Sequence, residues 1–522
     1  MVRFFNLFRH INFTDVIRTS FQIHPGPPAR YQLKPEKESL DGMSEEESRL
    51  RRWTFGERDH SKVNKTILLV GQTGTGKSTM INNMTNYVMG VEMEDKVWFE
   101  MIEEKTGKSQ SKSQTSTVTM YQIFGFEGRR VPYSLTIIDT PGFADTEGVQ
   151  EDEIIVDKLH DLFRCENRIH EIDAVGFLLK SSTNRLDDQQ KYVFNEVASL
   201  FGKDMENNIV FLMTHSDGMP PTDALQAIED ADIKCAKDKN GKPVHFLFNN
   251  HQNKFIECAT KKKYEEAWEV SADGNEQFFN FLNKTEPQKL RMTIEVMTEH
   301  IRLRACIQNM KERIELSEKK QKSIEKIKID LELHKKDIET NKNFTIPVEE
   351  VYKVRETINA WWDNKAVTCS RCEENCHHPG CTLAVSPWWC EVMRGSSCTS
   401  CTGRCSYTHH VKQNFKYVTK TRVVWKTVEE MKKKYETKTK LAGQEQSLLS
   451  GLEAEMKELQ DEQNRLVMEA FECVVSLEAI ALNVHSSTIH DHLDFIIKKL
   501  KANKQQQKAQ KLEEIKNRRQ GI

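Results

Sequence analysis

The sequence predicts an α/β domain with a mainly parallel sheet, followed by a long helical region that carries a small cysteine-rich insertion. Three observations support this prediction. From about residue 62 to 270, apolar strand-like runs alternate with helix-like patterns. From about 286 to 342 the chain is rich in charge, and from 345 to 420 cysteine and histidine are concentrated. The length of 522 residues also exceeds that of most single domains.

The α/β prediction depends on five apolar runs that fit buried strands, namely TILLVG, SLTIIDT, AVGFLL, NIVFLMT and VHFLFNN. Composition then divides the chain into six segments. We expect an N-terminal extension and linker at 1–60, the α/β domain at 61–275, a helical arm at 285–345, a cysteine- and histidine-rich module at 346–420, a second helical arm at 421–485 and a basic C-terminal tail at 486–522.

The second arm shows a heptad pattern, which is typical of a coiled coil. Its apolar seam has one polar break, at Gln463. The seam consists of Leu449, Leu452, Met456, Leu459, Gln463, Leu466, Ala470, Cys473, Leu477 and Ile480. Two arrangements fit equally well: two antiparallel arms with the cysteine cluster at their tip, or an ordinary helical bundle.

Composition argues against several classes of protein. The net charge of −2 gives no overall attraction to nucleic acid or anionic lipid. No segment approaches the roughly 18–20 consecutive apolar residues of a membrane helix, and charges interrupt the N-terminal stretch too often for a signal peptide. We therefore expect a cytoplasmic protein without a transmembrane segment, without specific nucleic-acid binding, and with its 13 cysteines in a reducing compartment.

A phosphate-binding loop follows the first predicted strand of the α/β domain. The segment GQTGTGKS fits G-x-x-x-x-G-K-[ST] and lies between a strand-like run and a helix-like run. Its backbone N–H groups can surround phosphate oxygens, Lys77 can contact the β- and γ-phosphates, and Ser78 can bind Mg²⁺. The residues predicted to bind here are Gly71, Gln72, Thr73, Gly74, Thr75, Gly76, Lys77, Ser78 and Thr79.

Two further segments extend this site. Asp139 ends the strand SLTIID and can hold Mg²⁺ through water, and the N–H of Gly142 can contact a γ-phosphate. Thr214, His215 and Asp217 follow the strand NIVFLMT. The Asp217 carboxylate can accept both the ring N–H and the exocyclic amine of guanine, a donor pair that adenine lacks. A GQTG-type loop also occurs in kinesin ATPases, so an ATPase remains an alternative.

The α/β domain resembles the GTPases of immunity-associated proteins (the GIMAP/IAN family), relatives of the septins and the chloroplast Toc GTPases. The resemblance covers residues 62 to about 265. Four segments carry it, in order: GQTGTGKST, IDTPGFADT, the run from IDAVGFLLKSSTNRLDD to NNIVFLMTHSD, and FLFNN. It implies a Ras-like sheet, GTP or GDP with Mg²⁺, and dimerisation through the nucleotide face.

The resemblance also implies roles for single residues. Family spacing favours Thr115 as the switch threonine that binds Mg²⁺, with Thr117 as the alternative, so Lys77 and Thr115 are the predicted catalytic residues. His215 can stack on the base, and Asn249 and Asn250, which follow the last strand, can contact its far edge. Phe143 occupies the position where many GTPases carry a water-orienting Gln, so we expect slow hydrolysis that a partner subunit stimulates. Arg185 is a candidate for that contact.

The cysteine-rich module has the spacing of a structural zinc centre. Eight of the 13 cysteines lie between 369 and 405, and the pattern C-x₂-C-x₃-C occurs twice. A C-x₂-C pair can chelate one tetrahedral ion, and His can complete the ligand set. We predict two Zn²⁺ ions, with a disulfide-bonded knot as the alternative. The predicted ligands are Cys369, Cys372, Cys376, Cys381, Cys398, Cys401, Cys405 and His409.

The sequence therefore supports one leading hypothesis and one alternative. The leading hypothesis is a GTP-controlled assembly switch that self-associates through its nucleotide face and binds protein partners through its helical arms. The alternative is a scaffold with a structurally bound guanine nucleotide, in which the coil and zinc module bind partners.

Overall fold

The computed structural model describes residues 13–40, 44, 48, 50–102, 117–141, 149–164, 169–252, 261–341, 344–358, 365–378, 386–433, 448–483 and 487–517. They form two compact units. The first comprises Met1–Met297 with Ile480–Ser487, and the second comprises Thr298–Ala479 with Thr488–Ile522. Within the described residues, no helix has the length and apolar character needed to cross a bilayer.

The first unit is an α/β domain. Its strands are β1 (Phe21–His24), β2 (Ala29–Gln32), β3 (Glu36–Ser39), β4 (Leu50–Phe55), β5 (Asn64–Val70), β6 (Val97–Glu100), β7 (Val118–Ile123), β8 (Ser134–Asp139), β9 (Glu171–Ile172), β10 (Ala174–Lys180), β11 (Ile209–Thr214), β12 (His245–Leu247) and β13 (Gln288–Lys289). Its helices are α1 (Thr14–Thr19), α2 (Lys77–Met89), α3 (Val149–Arg164), α4 (Asp188–Ser199), α5 (Thr222–Asp230), α6 (Lys261–Lys284) and the start of α7 (Arg291–Leu333).

The main sheet has the strand order β12-β11-β10-β5-β8-β7-β4-β3. The five predicted apolar runs form β5, β8, β10, β11 and β12, which are parallel to one another, while β7 is antiparallel to β8. Buried parallel strands are apolar on both faces, which explains why the sequence predicted them well. The predicted mainly parallel α/β fold is confirmed.

The segment predicted as an N-terminal extension and linker contributes two strands to this sheet. β4 pairs in parallel with β7, and β3 pairs antiparallel with β4 at the sheet edge. The linker interpretation of 1–60 is therefore wrong for these two strands. Their charged side chains, such as the Arg52–Glu38 pair, are typical of an edge strand and hide its apolar pattern.

The second unit contains the rest of α7 and two long strands that pair with each other, together with shorter strands and further helices. Its further strands are β14 (Thr345–Thr357), β15 (Ala366–Cys369), β16 (Glu374–His377), β17 (Met393–Arg394), β18 (Ser397–Cys398), β19 (His410–Gln413) and β20 (Phe415–Thr427). Its further helices are α8 (Lys335–Thr340), α9 (Leu448–Ile480), α10 (Ser487–Ala502) and α11 (Gln506–Asn517). β14 and β20 pair antiparallel over 13 residues each. The ends of the predicted arms that adjoin the module are therefore strands and not helices: β14 starts at Thr345, and β20 continues to Thr427.

Helices α7 and α9 lie side by side and run antiparallel. Gln463, the polar break of the heptad seam, donates to Ser317 Oγ at 2.9 Å, and Lys328 donates to Glu453 at 3.2 Å. The seam residues Leu452, Leu466, Ala470 and Leu477 are buried. The first contact joins the middles of the two helices, and the second joins the start of α9 to the end of α7, which is an antiparallel arrangement.

The cysteine-rich module lies alongside these helices, which differs from the arrangement of antiparallel arms that placed it at their tip. Arg302 on α7 donates to the carbonyl of Glu391 at 2.6 Å, and Asn309 donates to the carbonyl of Asn375 at 3.1 Å. The reason is the β14–β20 ribbon, which returns the chain along α7: Ser323 donates to the carbonyl of Glu349 at 2.7 Å. The segment predicted as a basic tail contains helices α10 and α11, in which Leu500, Leu512 and Ile515 are buried.

Candidate functional site

The phosphate-binding loop connects β5 to α2. Gly74 and Gly76 have φ values of +79° and +95°, which L side chains rarely adopt. A Cβ atom at Gly71 would lie 2.8 Å from Thr75 Oγ1, so this position needs glycine as well. Gly76 is the N-cap of α2, which directs the first N–H groups of that helix into the loop. The loop therefore has the conformation that its sequence predicts.

Lys77 begins α2 and is buried beside the loop. Its Nζ donates to the carbonyl of Gly71 at 2.7 Å and to that of Gln72 at 3.4 Å. The hydroxyl of Thr214, at the end of β11, donates to the carbonyl of Thr75 at 2.9 Å. The loop is thus held on one side by its own lysine and on the other by the strand that leads to the predicted base-binding segment.

Asp139 is the last residue of β8 and is fully buried. The next residue, Thr140, donates to the carbonyl of Leu69 on β5 at 3.1 Å, which fixes the strand ends together. Burial, with the charge of Asp139 as a second cause, raises the pKa of Tyr121 well above its usual value. Asp139 and Ser78 supply the oxygen ligands that Mg²⁺ prefers. Thr115 and Gly142 lie outside the described residues, whereas Thr117 is buried, with its hydroxyl 3.3 Å from that of Thr119.

The predicted base-binding residues follow β11 and β12. His215 has a φ of +54°, and the N–H of Ser216 donates to the carbonyl of Phe248 at 2.9 Å, which ties the two strand ends together. The exposed carboxylate of Asp217 accepts from the N–H of Met219 at 3.0 Å. This hydrogen bond fixes the conformation of the segment and occupies one of the two carboxylate oxygens of Asp217.

The two asparagines after β12 have different environments. The side chain of Asn250 accepts from Ser271 Oγ at 3.1 Å and lies 3.7 Å from the sulfur of Met80. It therefore packs between α6 and α2. The N–H of Asn249 donates to the same Ser271 hydroxyl at 2.9 Å, which positions Asn249 next to the strand end.

The cysteine-rich module brings side chains together in three groups, each with its ligand atoms within 4.8 Å of one another. The Cys369 group contains Cys369, Cys372, Cys401 and Cys405, and the Cys376 group contains Cys376, Cys398, Cys401 and His410. The His377 group contains His377, Cys390 and Glu391. Six of the eight predicted zinc ligands are therefore clustered, and Cys401 belongs to two groups.

His410, and not the predicted His409, lies with the cysteines. His410 begins β19, where it pairs with Cys369 on β15 and is buried, whereas His409 is exposed. His409 is the last residue of a short 3₁₀ helix, Tyr407–His409, that precedes β19, so it does not share the strand pairing that positions His410. Cys381 lies outside the described residues. His377, Cys390 and Glu391 were not predicted as metal ligands. Glu391 follows no spacing pattern in the sequence that is typical of metal ligands.

Backbone N–H groups direct the cysteine sulfurs inward. Cys398 Sγ accepts from the N–H groups of Ser400 at 3.3 Å and Cys401 at 3.4 Å, and Cys372 Sγ accepts from that of Gly403 at 3.4 Å. Hydrogen bonds from the thiols of Cys376 and Cys401 lower the pKa of Cys398 to about 4. The Cys369 group has the ligand set Cys₄ and the Cys376 group has the ligand set Cys₃His, and both sets occur in structural zinc sites. The residues present therefore fit zinc.

The sheet order, the glycine loop and the carboxylate at the end of β8 define a P-loop G domain. Residues 65–257 match the AIG1 family and form a domain of that family. GTP-binding protein A of Dictyostelium discoideum is 25% identical over 166 residues, which are 32% of this chain and 31% of that protein. Immune-associated nucleotide-binding protein 10 of Arabidopsis thaliana is 25% identical over 166 residues, which are 32% of this chain and 30% of that protein. The chain thus spans about a third of the length of these relatives.

Two solved structures of Toc33 from Arabidopsis thaliana also match. The complex with Mg²⁺ and GMPPNP has 16% identity, a TM-score of 0.28, and covers 44% of this chain and 88% of the Toc33 chain. The complex with GDP and Mg²⁺ has 18% identity and a TM-score of 0.28, and the match covers 43% of this chain and 86% of the Toc33 chain.

Proposed function

We propose that the first unit binds GTP and GDP with Mg²⁺ and hydrolyses GTP slowly. One observation carries this proposal: the carboxyl ends of β5, β8 and β11 bring the glycine loop, Asp139 and the Thr214–Asp217 segment to one edge of a parallel sheet. Ligands of open α/β sheets bind at this edge. Membership of the AIG1 family and the name of the Dictyostelium relative support the same ligand.

Each residue then has a defined role. The loop N–H groups and Lys77 bind the phosphates, while Ser78, Asp139 and, by prediction, Thr115 hold Mg²⁺, which neutralises charge that develops on the phosphate oxygens. Asp217 selects guanine, and His215, whose Nδ1 lies 3.1 Å from the Thr214 hydroxyl, can stack on the base. Asn249, which follows β12, can contact the far edge of the base. The Asn250 side chain would have to rotate away from Ser271 and Met80 before it could contact the base.

We infer that hydrolysis depends on self-association. Phe143 cannot orient water, so turnover by the isolated chain should not exceed about 10⁻³ s⁻¹. Arg185 is exposed just before α4, whose N-cap residue Asp187 accepts from Gln72 of the loop at 3.4 Å. An exposed guanidinium this close to the loop can contact the nucleotide of a second copy.

We expect turnover per protein molecule to rise with protein concentration and Arg185→Ala to remove that rise. The measurement is phosphate release across a concentration series, with the oligomeric state followed by light scattering. Arg18→Ala, an exposed arginine on α1, is the matched control and should behave as the parent protein. A turnover that is fast and independent of concentration would contradict this proposal.

We also propose that the protein acts as an assembly switch and that the helices of its second unit bind protein partners. One observation favours the scaffold alternative: Val423 and Trp425 on one face of β20 are exposed by 61% and 69%. Exposed apolar side chains of this size mark interaction surfaces. Nucleotide exchange separates the two hypotheses, because a scaffold would keep a single GDP or GTP through prolonged dialysis against the other nucleotide.

We also propose that the Cys369 and Cys376 groups hold two Zn²⁺ ions. Seven side chains supply their ligands, so Cys401 can bridge the two ions. The ions would fix the ends of β15, β16, β18 and β19, which are too short to be stable alone.

A further inference from the structure

A third group of metal-ligating side chains lies in the same module, separate from the two cysteine groups. It consists of His377, Cys390 and Glu391, none of which belongs to the Cys369 group or the Cys376 group. All three are buried, with 3%, 2% and 6% of their surface exposed. His377 and Glu391 lie within ion-pair distance of each other, and a thiol, an imidazole and a carboxylate are the side-chain types that bind zinc.

The backbone holds these three residues firmly. His377 ends β16 and pairs with Val367 of β15. The N–H of Cys390 donates to the carbonyl of Pro387 at 3.1 Å, and the carbonyl of Cys390 accepts from the N–H of Met393 at 2.9 Å. Arg302 of α7 donates to the carbonyl of Glu391 at 2.6 Å. The ligand atoms are therefore placed by a strand, a turn and a helix, which is the rigid support that a metal site requires.

The distances suit coordination of one ion. His377 Nδ1 lies 3.1 Å from Cys390 Sγ and 3.5 Å from Glu391 Oε2. With bond lengths of about 2.0 Å to nitrogen and oxygen and 2.3 Å to sulfur, ligand atoms of a tetrahedral zinc lie roughly 3.3–3.6 Å apart. The His377–Glu391 separation lies inside this range and the His377–Cys390 separation is slightly shorter, so a small movement of the imidazole away from Cys390 would bring both into it.

The ligand types indicate which metal would bind. Ca²⁺ and Mg²⁺ prefer oxygen ligands throughout, whereas zinc accepts sulfur, nitrogen and oxygen together. A divalent cation would neutralise the thiolate and the carboxylate in place.

We propose that His377, Cys390 and Glu391 form a third zinc site, so that the module binds three Zn²⁺ ions. The inference rests on the proposed zinc-binding role of this module. Three ligands leave the fourth tetrahedral position to a water molecule. The site would join the β16 end to the turn before β17, which the first two zinc sites do not connect.

The test is the zinc count of the full chain by native mass spectrometry. We expect three Zn²⁺ ions in the parent protein and two in each of His377→Gln and Cys390→Ser. His409→Gln, a change of an exposed histidine outside the three groups, is the matched control and should keep three. Glu391→Gln is the milder variant, and we expect it to release one zinc at about 10- to 100-fold lower chelator concentration, the usual size of a ligand-shell effect.

The outcomes are distinct. A parent protein with two ions, unchanged in His377→Gln and Cys390→Ser, would overturn the third site and leave the two-zinc proposal intact. A parent protein without zinc would overturn both. If Cys390→Ser lost all zinc through misfolding, the chelator threshold of Glu391→Gln would decide, and a threshold equal to that of the parent protein would overturn the inference.

Discussion

Replacing Lys77 with alanine is expected to lower the affinity for GTP by about 10- to 100-fold. A charge-assisted hydrogen bond contributes roughly 1.5–3 kcal/mol, and every 1.4 kcal/mol is a factor of ten in affinity. The Lys77 ammonium lies at the mouth of the glycine loop, 2.7 Å from the carbonyl of Gly71, where phosphates would take the place of that carbonyl. Isothermal titration with GTP in the presence of Mg²⁺ measures the change directly.

Lys239→Ala is the matched control for this experiment. Lys239 is exposed in the turn before β12 and belongs to the same unit, so its loss should leave GTP affinity unchanged. Thermal unfolding provides a second readout, because a ligand that binds only the folded state stabilises it by an amount that rises with the logarithm of the ratio of ligand concentration to Kd. An unchanged titration for Lys77→Ala would show that the glycine loop is not the phosphate site.

The second large effect concerns the zinc module. We expect Cys398→Ser to lose zinc and to unfold the module, because structural zinc sites contribute on the order of 10–16 kcal/mol in small zinc domains. Cys398 is the sulfur to which Cys376 and Cys401 donate, and its pKa is lowered to about 4. The serine hydroxyl does not ionise at neutral pH and is a poor zinc ligand. Elemental analysis and proteolysis within residues 365–433 would report the loss.

Cys473→Ser is the control for that experiment. Cys473 lies on α9 in the same unit and belongs to none of the three groups, so zinc content should not change. Burial raises the pKa of Cys473 to about 11. Removal of zinc by a chelator should reproduce the Cys398→Ser result. A chelated protein that resists proteolysis as the parent does would contradict the structural role of zinc.

The nucleotide-binding core could be predicted from the sequence because its physical requirements are local. Gly74 and Gly76 adopt a backbone conformation that few other residues tolerate, and the strands that end at Asp139 and Thr214 are buried on both faces. The loop conformation requires the glycine spacing and the buried strands require the apolar runs, so both features are visible in the sequence.

The second unit was harder to predict because its pattern is ambiguous. Strands β14 and β20 are rich in Lys, Arg and Glu, which are typical of exposed helices, and their length of 13 residues exceeds the usual five or six. The prediction of His409 in place of His410 failed for a related reason. Spacing alone does not show where β19 begins, and its first residue decides which histidine faces the cysteines.

The central claim, that the first unit is a guanine-specific P-loop domain, is tested most directly by competition binding of GTP, ATP and XTP. The account predicts that the parent protein binds GTP at least about tenfold more tightly than ATP, and that Asp217→Asn weakens GTP by about 10- to 100-fold while improving XTP, whose second carbonyl can accept from an amide. Asp223→Asn on α5 should change neither. Equal affinity of the parent protein for ATP and GTP, or unchanged GTP affinity in Asp217→Asn, would contradict it.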